Sequence, residues 1–161
     1  MVIGILLIIV CILLVSLLYR YWKLLLTREI LENEKEKFKC QSDLLCQWIR
    51  NINKGITVDE ILTSYGANSI AIYGKGNLGR LLYKNLEGSN IKVKFFIDKN
   101  AGRIIEGLAD TIGTISDEDL SDLDAIIVTL PYDYLKIKEF LEKETKNNIR
   151  IISIEEIVYR L

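Results

Sequence analysis

Apolar and polar positions divide this chain into three regimes. From Val2 to Leu18 no residue is charged, and only Gly4, Cys11 and Ser16 interrupt a run of large aliphatic side chains. At 1.5 Å per residue such a helix reaches about 26 Å, and Met1 and Tyr19 extend it to roughly the thickness of a hydrocarbon core. Tyr19, Tyr21 and Trp22 follow as an interfacial aromatic belt, and Arg20, Lys23 and Arg28 make that flank positive. The pattern predicts a transmembrane helix over residues 1–21, anchored in the bilayer through residues 2–18. The positive-inside rule then makes this a single-pass membrane protein with its carboxy-terminal part in the cytoplasm. A cleaved signal peptide would need a basic leading segment and a small-x-small site, and the sequence has neither.

The second regime, residues 22–54, reads as a helical stalk, because no Gly or Pro occurs until Gly55. Leu24, Leu31, Phe38, Leu45 and Ile52 recur every seven residues and would form one seam of a coiled coil. The companion seam holds Thr27, Glu34 and Gln41, beside a charge cluster from Glu32 to Lys37, so pairing of two copies is a secondary expectation. Leu44, Leu45, Trp48, Ile49 and Ile52 are expected to pack on the globular part. Residues 55–68 then form a short packing helix, opened by a Thr57-x-x-Glu60 capping box and ended by Gly66.

The third regime, residues 69–161, alternates short apolar runs with amphipathic stretches. Ile70 to Tyr73 reads as a buried parallel strand, followed by Gly74, Gly76 and Gly79 at G-x-G-x-x-G spacing. Leu78, Leu81, Leu82 and Leu86 mark one face of the next helix, Gly88-Ser-Asn90 stops it, and Ile91 to Ile97 is a second strand ending at Asp98. Further on, the pattern predicts a brief strand over 111–115, a short helix from Ser116, and a buried strand over 124–129. A helix opened by Pro131, a strand over 149–152 and a final capped helix from Ser153 complete it. Five strands alternating with helices predict an α/β fold, a Rossmann-like doubly wound parallel sheet of order 3-2-1-4-5.

Composition narrows the chemistry. Lys plus Arg number 21 and Asp plus Glu 22, which gives no argument for a nucleic-acid partner. There is no histidine, so the usual zinc ligand and the usual neutral-pH proton shuttle are missing. Cys11, Cys40 and Cys46 are not spaced as a metal site and read as free thiols, and no metal is expected.

What remains is a phosphate-binding turn. Gly74 would permit the tight bend, Gly76 the approach of backbone to a pyrophosphate, and Gly79 close contact between helix and strand. The first-turn amides at Asn77 and Leu78, with the helix dipole, would hold phosphates, and Asp98 would accept hydrogen bonds from ribose hydroxyls. Thr129, after the fourth strand, would line the same crevice, which is expected to span 74–78, 98–100 and 129–132. Tyr132 and Lys136 match a Tyr-x-x-x-Lys spacing, as do Tyr134 and Lys138. In short-chain dehydrogenases that spacing lets the lysine lower the tyrosine pKa. Here the pair opens the helix after the fourth strand, without the upstream serine, so Tyr132 and Lys136 are weak candidates and no catalytic residue is assigned.

Over residues 69–161, the segments IAIYGKGNLGRLLYKNL, IKVKFFIDKNAG, DAIIVTLPYDYLKIKEFL and IISIEEIV resemble a family. They look like the Rossmann-type domains of bacterial capsule and surface-glycan synthesis. These include the amino-terminal cytoplasmic domain of membrane-bound nucleotide-sugar dehydratases and epimerases, and the UDP-sugar-binding domain ahead of some sugar acetyltransferases. The resemblance implies NAD(P) or a nucleotide sugar as ligand, bound at Gly74, Gly76, Gly79 and Asp98. Those relatives add a second catalytic or hexapeptide-repeat domain, which this sequence lacks.

The leading expectation is therefore a non-catalytic, membrane-tethered module that binds a nucleotide and works with a glycan-synthesis enzyme. An NAD(P)-dependent oxidoreductase or dehydratase-like subunit that needs a partner is the alternative. A degenerate scaffold, or a homo-oligomer that senses redox state through NADH, is a further one.

Overall fold

The computed structural model describes residues 2–98, 110–113, 120, 122–145 and 149–160. The chain falls into two compact units, Met1–Lys39 and Cys40–Leu161. The first helix, α1 (Val2–Asn53), is continuous across that division.

In the first unit α1 is long and apolar enough to cross a membrane, by length and composition, and none of its most apolar stretch is buried by protein. Beyond that stretch several polar side chains find partners along the helix. Thr27 donates its hydroxyl to the Lys23 carbonyl at 2.9 Å, Arg28 pairs with Glu32 at 3.1 Å, and Lys37 meets Glu34 at 3.5 Å. Such exposed pairs each stabilise a helix by only a few tenths of a kcal/mol, about 0.3–0.5.

In the second unit the last turns of α1 join a core. Leu44, Trp48 and Asn51, at i, i+4 and i+7, are buried, and Leu45 is half-buried against the same cluster. Ile49 and Ile52, expected to pack there, are exposed, because they lie off the face that 44, 48 and 51 define. Asn51 takes the inward place, accepting from Gln47 at 2.9 Å and donating to the Val158 carbonyl at 2.7 Å. A turn with Gly55 at φ +75° leads to α2 (Val58–Ser64), where the Thr57 amide donates to the Glu60 carboxylate.

The sheet follows. β1 (Ser69–Tyr73), β2 (Lys92–Ile97), β4 (Ala125–Val128) and β5 (Arg150–Ser153) lie in the order β2-β1-β4-β5, and every pairing is parallel. The two-residue segment β3 (Thr111–Ile112) pairs parallel with the outer edge of β2. Of the expected strand over 111–115, Thr111 and Ile112 pair as strand and Gly113 stands in a bend, while 114 and 115 lie outside the described residues. The expected turn at 99–102 and helix start at 116–119 lie outside the described residues.

Strand side chains alternate between two buried layers. On one face Ile70, Ile72 and Ile127 pack with the end of α1, with α2, with α3 (Asn77–Leu86) and with α5 (Ile154–Tyr159). On the other, Ala71, Tyr73, Ile126 and Val128 meet Leu141 and Ile137 of α4 (Tyr134–Glu144). Helices on both faces explain why β1 and β4 read as unbroken apolar runs. Pro131 opens a single 3-10 turn, Pro131–Asp133, and α4 proper begins only at Tyr134, later than the proline signal suggested.

Candidate functional site

The carboxyl ends of β1, β2 and β4 converge on one loop, and side chains from either side fix its course. Gly74 has φ +99°, the left-handed region that favours glycine. From β4, the buried Thr129 hydroxyl reaches the carbonyls of Tyr73 at 2.9 Å and Gly74 at 3.1 Å. From the end of β2, Asp98 accepts the Lys75 N–H at 2.8 Å. The backbone N–H of Gly74 continues the ladder to the Ile97 carbonyl.

The three motif glycines differ in what surrounds them. A Cβ on Gly79 would stand 2.0 Å from the Gly74 carbonyl oxygen, so the helix can lie against the loop only without a side chain there. A Cβ on Gly74 would meet the Thr129 hydroxyl at 2.9 Å. A Cβ on Gly76 would meet nothing within 4 Å. Gly76 is also the N-cap of α3, so no side chain caps that helix.

Beside this loop opens a cleft of about 590 Å³, within the size range of small-molecule sites. Tyr73, Gly74, Gly76, Asp98, Leu130, Asp133, Lys136, Ile137 and Phe140 line it. Burial, and then the Asp98 carboxylate, push the Tyr73 phenol above its ordinary pKa.

Among the sequence-derived site residues, Gly74, Gly76 and Asp98 border the cleft. Thr129 stands behind the loop as a brace. Gly79 is a packing contact. Leu78 is buried in the core, so only its backbone faces the turn, and Asn77 accepts from the Arg80 guanidinium at 2.7 Å. Lys136 lines the cleft, whereas Tyr132, half-exposed in the 3-10 turn, is not among the lining residues. No protein family, curated protein or solved structure matches this chain.

The second Tyr-x-x-x-Lys match is a structural one. The Tyr134 hydroxyl lies 3.1 Å from the Glu156 carboxylate and 3.2 Å from the Ile151 carbonyl. Burial first, then Glu156, push its pKa up to about 12, the opposite of what proton transfer near neutrality needs. Because the folded value lies above the ordinary 10.0, this phenol's contribution is complete below pH 10 and is lost as pH rises through about 12. Tyr134→Phe is expected to cost about 1 kcal/mol at pH 7, and the gap from wild type should close between pH 10 and 12. Urea titrations of both proteins across that range read it; a constant gap would refute it.

Five lining residues lay outside the sequence reading of the crevice: Tyr73, Asp133, Ile137, Phe140 and Lys136, the last named there only as a weak catalytic candidate. Asp133, Lys136, Ile137 and Phe140 are spaced i, i+3, i+4 and i+7, the signature of one helix face, and that spacing is their signal in the sequence. Among the described residues, no group of three or more His, Cys, Asp or Glu is placed to hold a metal.

Proposed function

We propose that this chain is a single-pass membrane protein whose cytoplasmic, Rossmann-like doubly wound domain binds a nucleotide, NAD(P) or a nucleotide sugar. On this reading β3 is the fifth strand of a 3-2-1-4-5 sheet, and the protein is an accessory to capsule or surface-polysaccharide synthesis. The tether holds the domain near lipid-linked substrates.

The observation that carries the reading is the contrast between Gly79 and Gly76. The first glycine is demanded by packing, and the second leaves open space at the head of α3, beside a cleft at the carboxyl ends of parallel strands. Packing accounts for the first; the second is a preferred cap residue that leaves the first-turn amides open to a phosphate. An oxidoreductase reading is supported less well, because Tyr132 is not among the residues lining the cleft with Lys136.

The test is a thermal-shift panel on the full chain in nanodiscs with NAD, NADP, coenzyme A and UDP-sugars. A ligand at one hundred times its Kd adds about 2.7 kcal/mol of apparent stability, so one class should raise Tm by several degrees. Gly76→Leu should fold, since a Cβ there meets no atom within 4 Å, yet lose that shift; Asp98→Ala should lose it as well. A flat panel at millimolar ligand would reject the reading.

A further inference from the structure

The last turns of α1 have two apolar faces. Leu44, Trp48 and Asn51 turn into the core, while Ile49 and Ile52, 58% and 50% exposed, stand outside it beside the half-buried Leu45. With 3.6 residues to a turn, the stripe of Ser42, Leu45, Ile49 and Ile52 is centred about a third of a turn around the helix from the core face. In the Met1–Lys39 unit the same seven-residue repeat is carried by Leu24, Leu31 and Phe38, which are 66%, 64% and 74% exposed. A straight helix drifts by about 20° per heptad. Five apolar residues at strict seven-residue spacing therefore keep to one line only where the helix supercoils around another.

We infer that α1 pairs along this repeat with α1 of a second copy of the chain, in parallel and in register. The inference rests on the membrane-spanning part of the reading above, which inserts both copies in one direction, and owes nothing to the cleft. Of the two companion seams, the one through Thr27, Glu34 and Gln41 ends at Trp48, which is buried in the chain's own core. The other, through Arg28, Lys35 and Ser42, ends at the exposed Ile49. It puts Leu45 at d and Ile49 at a, the arrangement that favours two parallel strands. Glu34 then falls at g and Lys39 at e, so each Glu34 faces Lys39 of the other copy, and two-fold symmetry makes that contact twice. Within its own helix Glu34 meets Lys37 at 3.5 Å, an exposed pair that is exchanged at little cost. Arg28 and Lys35, at a positions, weaken the seam while fixing its register. Confinement to one membrane offsets that weakness, because it raises the concentration at which the copies meet.

Disulfide cross-linking in membranes tests this, on full chains with Cys11, Cys40 and Cys46 changed to serine and one cysteine introduced at a time. With copper phenanthroline as oxidant, Lys35→Cys and Ser42→Cys should each give linked dimers. Glu36→Cys, on the far side of the helix, should give about tenfold less. In the Ser42→Cys chain, Ile49→Asp should cut the dimer about tenfold, and its exposed position spares the fold. Glu34→Lys should cut it about fivefold, and Glu34→Lys combined with Lys39→Glu should restore it. Release of the chain from membranes by alkaline carbonate overturns the tether, and the pairing with it. A membrane-held chain overturns the pairing alone, and leaves the nucleotide site standing, on any of three results. These are linking at Lys35→Cys and Ser42→Cys no better than at Glu36→Cys, linking to a different protein, and a charge swap that brings no recovery.

Discussion

Gly79→Ala should destabilise the Cys40–Leu161 unit by about 3 kcal/mol, at the upper end of what overpacking costs, from the addition of one methyl group. Its Cβ would lie 2.0 Å from a backbone oxygen, which cannot swing aside as a side-chain tip can. Relief requires either α3 to move off the sheet, exposing Leu78 and Leu82, or the Gly74 carbonyl to leave the Thr129 hydroxyl. Both routes disturb the loop that borders the cleft, so on the proposed nucleotide-binding reading affinity should fall with stability. Gly76→Ala is the control. It meets no atom within 4 Å and loses only a preferred cap residue, a cost within about 1 kcal/mol. Thermal denaturation of the two variants beside wild type decides it, and equal melting of Gly79→Ala and wild type would refute the close approach.

Trp48→Ala should cost about 3–5 kcal/mol, an effect that a solvated stalk could not produce. Trp48 is 2% exposed, in the cluster that holds Leu44, Leu62 and Ile157. Truncation removes a bicyclic ring from a close-packed layer and leaves a cavity there. Trp48→Phe should cost much less than the alanine variant, for a reason besides volume. The indole N–H is buried with no hydrogen-bond partner among the described residues, and phenylalanine removes that unsatisfied donor, which itself costs about 1–3 kcal/mol. Denaturation of full-length wild type and both variants in nanodiscs reads the series. Equal stability of Trp48→Ala and wild type would place this part of α1 outside the core.

The elements that the sequence states most clearly are those with the strongest period. Ile70–Tyr73 and Ala125–Val128 are unbroken apolar runs because helices cover both faces of their sheet, and α3 announces itself through Leu78, Leu82 and Leu86. The end of α1 was legible only in part. Leu44, Leu45 and Trp48 pack on the core as expected, but Ile49 and Ile52 are exposed and Asn51 takes the inward place, and a buried asparagine gives no apolar signal. At the site, glycine spacing marked the loop, yet it could not distinguish a glycine packed on a carbonyl from one facing open space. It also could not assign the Asp98 carboxylate to the Lys75 amide, a bond between residues 23 positions apart in sequence. The wall formed by Asp133 and α4 stayed hidden because its four cleft residues mix one acid, one base and two hydrophobes, and so carry no common composition.

Thr129 and Asp98 hold the bend after β1 from opposite flanks before any guest arrives. A mould set in advance spares the entropy that a slack loop would forfeit on capture, so association there should resemble a key entering a cut lock. On the nucleotide-binding reading, the heat-capacity change would then track the surface that guest and cleft bury together, with little added by ordering of that bend.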